Sequence, residues 1–248
     1  MAWSIFSEKV FVVPLKSPSR RPARGLFVCG TGTDVGKTYI GCAIAESLAA
    51  QHLSVGVYKP VASGALRENG QLVAADAVAL HRAAGCHEDL STVCPQVFVP
   101  PLAPPVAARL QSQVVDDDLL RRGLEYWTDR CDFVVVEGVG GLLSPVSDND
   151  FTITLAKEFG YPIILVAADR LGVINQVLQA LCVCTKYAPD VPVAGIVLNQ
   201  VEPESNISRD SNAEQIQQHS RVPLLGQIAW QCPAPLQSIN WQELATGQ

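Results

Sequence analysis

Gly30, Gly32 and Gly36, followed at once by Lys37 and Thr38, place three unhindered backbone positions, one ammonium and one hydroxyl within a single short stretch. In such a turn consecutive backbone N–H groups can curl around the β- and γ-phosphates of a nucleoside triphosphate, and a helix starting behind it adds the positive end of its dipole. Lys37 would offset phosphate charge, and the Thr38 hydroxyl would hold Mg²⁺. Residues 31–35 separate Gly30 from Gly36, one more than the usual phosphate-loop spacing, so the loop is a lengthened variant. A carboxylate suited to the same ion is Glu137, at the end of the apolar run Phe133-Val-Val-Val136, where an unpaired charge would be costly. Asp76 near a helix start reads equally as a dipole partner or as a further ligand. Lys59 and Ser63, in Lys59-Pro-Val-Ala-Ser-Gly64, could bring an ammonium and a hydroxyl to an anionic intermediate. On residue types alone they read as an ordinary surface lysine and turn serine.

These groups need elements to hold them. Residues 25–30 read as a strand and 39–51 as a helix, giving strand, loop, helix around the glycines. Residues 55–58 read as a second strand, stopped by Pro60 because proline cannot continue a central ladder. Helices are expected over 72–84 (ended by Gly85), 106–111, 116–130, 151–159, 173–187 and 209–219. Continuous apolar strands are expected over 131–136, 162–168, 193–198 and 224–228, with Gly138, Gly140 and Gly141 making a turn after Glu137. Such runs alternating with helices predict an α/β fold, a mostly parallel sheet with helices on both faces. In that architecture ligands sit at the carboxyl ends of strands, where Lys37, Lys59, Glu137, Asp169 and Asn199 fall.

The 248 residues suit one domain rather than two. Residues 1–24, basic and rich in Ser and Pro, read as a loosely ordered extension with some transit-like character, and 25–248 as the folded unit; the tail 233–248, with Trp241, shows no strong pattern. A net charge of −6 argues against general binding to nucleic acid or a membrane surface. No apolar run reaches a membrane-spanning length, and the N-terminus lacks a secretory apolar segment, so a cytoplasmic location is expected. Cys29, Cys42, Cys131, Cys182 and Cys184 lie in or beside apolar stretches and read as buried small hydrophobes in a reduced compartment. Cys182-x-Cys184 is not metal-ligand spacing on a helix.

Gly30-Thr-Gly-Thr-Asp-Val-Gly-Lys-Thr38, Tyr58-Lys-Pro-Val-Ala-Ser-Gly64, Asp76 with Ala-x-Ala-Leu80, and Val136-Glu-Gly-Val-Gly-Gly141 resemble, in order and approximate spacing, the dethiobiotin synthetases. Leu171-Gly-x-Ile-Asn175 and Ala194-Gly-Ile-Val-Leu-Asn199 resemble that family too, and the likeness spans about residues 25–232. The resemblance implies a single-domain P-loop NTPase-type fold and a homodimer. It also implies ring closure of 7,8-diaminopelargonate with CO₂ and MgATP to dethiobiotin, through a carbamate and a carbamic-phosphoric anhydride. It implies Lys59 and Lys37 as catalytic residues and Thr38, Asp76 and Glu137 as Mg²⁺ ligands. ATP would lie against Asp34, Val35, Gly36, Lys37, Thr38, Tyr39, Asp76, Glu137, Gly138, Val139 and Gly140. Asn199, Gln200, Ala229, Trp230 and Gln231 would border the adenine. Thr33, Lys59, Ser63 and Gly140 would surround the diamine, and Leu171, Gly172 and Asn175, from the partner subunit, would receive its carboxylate.

The chain departs from the family pattern at three places: the residue types at Gly32 and Asp34 are exchanged, Gln200 replaces an acid, and the N-terminal extension has no counterpart. Two other readings compete with this one. An ATP-dependent amidoligase of the cobyrinate type would be expected to continue into a glutaminase domain. A partitioning or positioning ATPase, working as a nucleotide-gated dimer switch, would carry a lysine where Gly32 stands.

Overall fold

A computed structural model describes residues 20–68, 70–204 and 207–246. In chain order, β1 (Gly25–Gly30) leads through the glycine loop into α1 (Lys37–Ala49), and β2 (Val55–Tyr58) follows. A small hairpin, β3 (Leu66–Glu68) and β4 (Gln71–Val73), precedes α2 (Ala75–Ala83), α3 (Leu90–Val93), α4 (Pro104–Leu110) and α5 (Asp117–Glu125). Then come β5 (Phe133–Gly141), α6 (Thr152–Phe159), β6 (Ile163–Ala168), α7 (Val173–Tyr187), β7 (Val193–Asn199), α8 (Arg209–His219), β8 (Leu224–Ile228) and α9 (Trp241–Leu244).

The main sheet is ordered β2-β5-β1-β6-β7-β8, with every pairing parallel. Its central strands are buried along their whole length, as in a sheet covered on both faces, so period-2 alternation is absent and Val, Ile and Leu runs take its place. α1 buries Ile40, Ile44, Ala45 and Leu48 and packs beside α2. α6 and α7 pack together, with Phe27 of β1 meeting Phe159 of α6 at 6.0 Å between ring centroids. All six expected strands and the α/β class are present.

Several boundaries differ from expectation. β5 runs on through Gly141, which pairs with Gly30, so the segment expected as a turn is strand; its glycines let the backbone approach its neighbours. At Gly138 a Cβ would stand 2.6 Å from Thr152 Cγ2. The helix expected over 72–84 starts at Ala75, because residues 71–73 pair with 66–68. α5 ends at Glu125, with turns before the next strand. The tail has order without periodicity: Trp241 is fully buried and donates its indole N–H to Leu236 O at 3.2 Å. Cys182, expected inside, is exposed. Of the expected extension, residues 1–19 lie outside the described residues. The rest is docked: Arg21 donates to Phe159 O and stacks 4.8 Å from the Tyr161 ring centroid, and Tyr161 Oη donates to Pro22 O at 2.7 Å.

Candidate active site

β1 and α1 meet at Gly36, whose φ of 92° is left-handed and leaves no room for a side chain: a Cβ there would lie 2.1 Å from Asn199 Nδ2. Asp34 also takes a left-handed φ of 57° and is exposed at the mouth of the loop. Lys37, the first residue of α1, is buried, and its Nζ donates to Gly32 O at 2.9 Å, curling back over the loop that would wrap phosphates.

Beside this loop opens a cleft of about 610 Å³, at the carboxyl ends of β1, β2 and β5. Thr33, Asp34, Gly36, Lys37, Thr38, Lys59, Ser63, Asp76, Glu137, Val139 and Gly140 all line it, together with the apolar wall Pro101, Leu102, Ala103 and Pro104. Gly140, at φ 56°, could not carry a Cβ, which would stand 2.3 Å from Ser144 Oγ.

At the floor stands Lys59, 3% exposed, placed there because Pro60 ends β2 while the Lys59 amide still finds a partner in Val93 O at 2.8 Å. Its Nζ is 2.6 Å from Glu137 Oε1 and 3.0 Å from Asp76 Oδ2. Burial by itself would lower the Lys59 pKa, but Glu137 and Asp76 outweigh it and hold the ammonium above the usual lysine value. Burial likewise pushes the Asp76 carboxyl up, and Lys59 overrides that and keeps it below the usual carboxylate range. Lys37 goes the other way: burial lowers it more than Glu137 raises it, with Lys59 adding repulsion.

Thr38 Oγ1 donates to Glu137 Oε1 at 3.0 Å, while Glu137 Oε2 is buried with no hydrogen-bond partner. A buried carboxylate oxygen left bare beside a hydroxyl and a second carboxylate is an oxygen-only donor set, which fits a hard divalent cation and not a thiol- or imidazole-seeking one. Among the described residues no group of three or more His, Cys, Asp or Glu side chains could hold a metal. A cation here would therefore take its remaining ligands from water or phosphate.

The other expected site residues lie outside this cleft. Asn199, at the end of β7, is buried and donates Nδ2 to Val35 O at 3.1 Å, so it clasps the phosphate loop. Gln200 is held by protein atoms, and Trp230, 40% exposed, and Gln231, at φ 52°, follow the end of β8. Tyr39 lies on α1 with its hydroxyl buried and unpartnered. Leu171 is 81% exposed, Gly172 caps α7 at φ 93° and Asn175 is exposed. Asp169, at the end of β6, pairs with Arg209 and stands apart from the phosphate loop's cations. Residue patterns had not singled out Ser144, which accepts the Gly141 N–H at 2.8 Å and steadies the glycine segment; its only signal was proximity to that segment.

A parallel sheet with a glycine loop leading from its central strand into α1, and a lysine, a threonine and two carboxylates gathered where the strands end, defines a P-loop nucleotide-binding α/β protein. An AAA domain family model matches residues 24–233. Among similar proteins, the ATP-dependent dethiobiotin synthetase of Rhodopirellula baltica is 38% identical over 213 residues, 82% of each chain. That of Bacillus licheniformis is 35% identical over 208 residues, 82% of this chain and 84% of the relative. The chain belongs to the dethiobiotin synthetase family, the ATP-dependent ligases of biotin biosynthesis. In fold alone it is like a plasmid partition protein of Borrelia burgdorferi, with a TM-score of 0.50 at 11% identity over 92% of this chain and 97% of that one.

Proposed function

We propose that the chain carries out the ring closure itself: 7,8-diaminopelargonate, CO₂ and ATP are converted to dethiobiotin, ADP and phosphate. One amine adds to CO₂ and loses a proton, giving a carbamate. A carbamate oxygen attacks the γ-phosphorus and ADP leaves, giving a carbamic-phosphoric anhydride. The second amine attacks the carbamoyl carbon, phosphate leaves, and the ureido ring is closed.

The observation that carries this reading is Lys59, a buried lysine held by Glu137 and Asp76 on the cleft floor, within one site of Lys37 and Thr38. Carbamate and triphosphate repel each other, so a reaction between them needs fixed positive charge where negative charge builds. Lys59 would lie against the carbamate and Lys37 against the phosphates. Mg²⁺, held by Thr38, Asp76 and Glu137, would supply further charge neutralisation on the triphosphate. Thr33, Ser63 and Gly140 would position the diamine, whose chain the Pro101–Pro104 wall suits, and the approach of the reacting groups does the rest. Asn199, Ala229, Trp230 and Gln231 would border the base, and the Leu171, Gly172 and Asn175 turn of a second subunit would take the carboxylate.

The test is phosphate release from MgATP with bicarbonate, with and without the diamine, followed by mass detection of the product. Diamine-dependent release with a cyclic urea is expected. Release that ignores the diamine would overturn the proposal.

A further inference from the structure

The last residue of β7 and the one after it point their side chains to two different partners. Asn199 holds the phosphate loop through Val35 O, while the Gln200 carboxamide is spent on the base side. Gln200 Oε1 accepts from Trp230 N at 3.1 Å and from Arg209 Nη1 at 2.5 Å, and Nε2 donates to Pro203 O and Glu204 O, each at 3.3 Å. With both ends of the amide engaged, Gln200 has little left to read a base directly; it fixes the wall that would border one.

What sets the orientation of that amide is Arg209, at the start of α8. Its Nε lies 2.9 Å from Asp169 Oδ2, and Asp169 also accepts from Asn212 at 2.8 Å and Gln227 at 2.7 Å. Asp169 is 4% exposed, so the guanidinium is anchored by a buried carboxylate whose oxygens are both satisfied. Those contacts, with Gln227 Nε2 donating to Arg209 O at 2.8 Å, already tie α8 to the sheet. The further reach of Nη1 to Gln200 does something else: a guanidinium only donates, so it turns the carboxamide oxygen inward, where it also receives the Trp230 N–H. Rotating the amide would set its NH₂ against both donors.

We propose that Arg209 is a positioning residue for the nucleotide base: through Gln200 it fixes the wall at Ala229, Trp230 and Gln231 and so sets how strongly adenine is preferred. This rests on the base site of the proposed function. It adds a layer behind the base site at the end of β7: Asn199 also clasps the phosphate loop through Val35 O, while Gln200 and Arg209 act on base selection through the wall.

The experiment compares calorimetric binding of ATP, GTP and inorganic tripolyphosphate, all with Mg²⁺, to the wild-type chain, Arg209→Met and Arg209→Lys. Leaving Gln200 Oε1 without its charged donor is expected to weaken ATP binding roughly tenfold in Arg209→Met. The ATP-to-GTP preference should shrink and tripolyphosphate binding should hold. In turnover, the KM for ATP should rise by a similar factor with kcat within about twofold, the signature of lost binding without lost chemistry. Arg209→Lys, which keeps one charged donor, should recover part of the preference. If Arg209→Met does not fold, Gln200→Leu, which leaves the Asp169–Arg209 pair in place, is expected to give the same split between ATP and tripolyphosphate. Equal weakening of ATP and tripolyphosphate, or no change in ATP binding, would overturn the assignment. A wild-type chain that binds ATP no more tightly than tripolyphosphate would instead overturn the base site on which it depends.

Discussion

A lysine with almost no exposure, flanked by two carboxylates, is stable only because each charge answers another. Glu137 is 1% exposed and pairs with Lys59 at 2.6 Å, its single ion-pair partner among the described residues. Lys59→Ala should therefore lower kcat by about 10²-fold or more, since fixed charge at a reacting centre is the largest usual catalytic contribution. The variant should still unfold cooperatively, at a lower temperature, because a buried carboxylate has lost its partner. Near-normal turnover would take Lys59 out of the mechanism. Asp76 makes a separate prediction through pH. Its folded pKa lies below the usual value, so its contribution to stability is fully present above the ordinary aspartate range and is lost as pH falls through the depressed folded value. Urea unfolding of wild type and Asp76→Asn should thus differ by a constant amount from pH 7 down to about pH 5, narrow from about pH 4, and converge below the depressed folded value. A gap that widens on acidification would contradict the pairing with Lys59.

Elements are held by a polar device as well as by apolar packing. Arg121 of α5 is buried and donates to Asp150 through both terminal nitrogens, at 2.9 and 3.1 Å, while its Nε lies 2.7 Å from Glu158 of α6. Removing the cation strands two buried carboxylates, so Arg121→Ala should cost about 3–5 kcal/mol in denaturant unfolding. Nucleotide affinity of the folded fraction should be unchanged, because none of the three residues lines the cleft. This cluster was illegible in the sequence: three charged residues on three segments carry no spacing signal until the fold brings them together. The hairpin of β3 and β4 was hidden for a different reason. Leu66, Arg67 and Glu68 are all exposed, so no buried face imposes alternation, and the Leu72 to Val78 spacing mimics a helix. The strands of the main sheet were legible because burial on both faces demands unbroken apolar runs. Lys37 and Thr38 were legible for a local reason, since the loop that positions them is contiguous. Lys59, Asp76 and Glu137 stood out as a set only through family resemblance, since their meeting depends on β2, α2 and β5 converging.

For the whole molecule, the turn at Leu171, Gly172 and Asn175 projects outward and lines no part of the cleft in its own chain. Under the proposed two-subunit site, Asn175→Ala and Lys59→Ala homodimers should each be impaired, while verified mixed dimers should regain about half of the wild-type rate, since one of two symmetric sites is restored. Mixed dimers no better than either parent would confine the site to one subunit. The order of strands carries one more consequence. Gly25 of β1 pairs with Val134, and Phe27 pairs with Ile163, so the strand that launches the phosphate loop has both neighbours far downstream. During synthesis its apolar residues leave the ribosome well before either partner exists, and closing such distant pairings is slow. The strand that leads into the glycine loop is thus made before both of its sheet neighbours and cannot be secured until residues 133–168 arrive. Until then, a chaperone that shields short apolar strands has this one to protect.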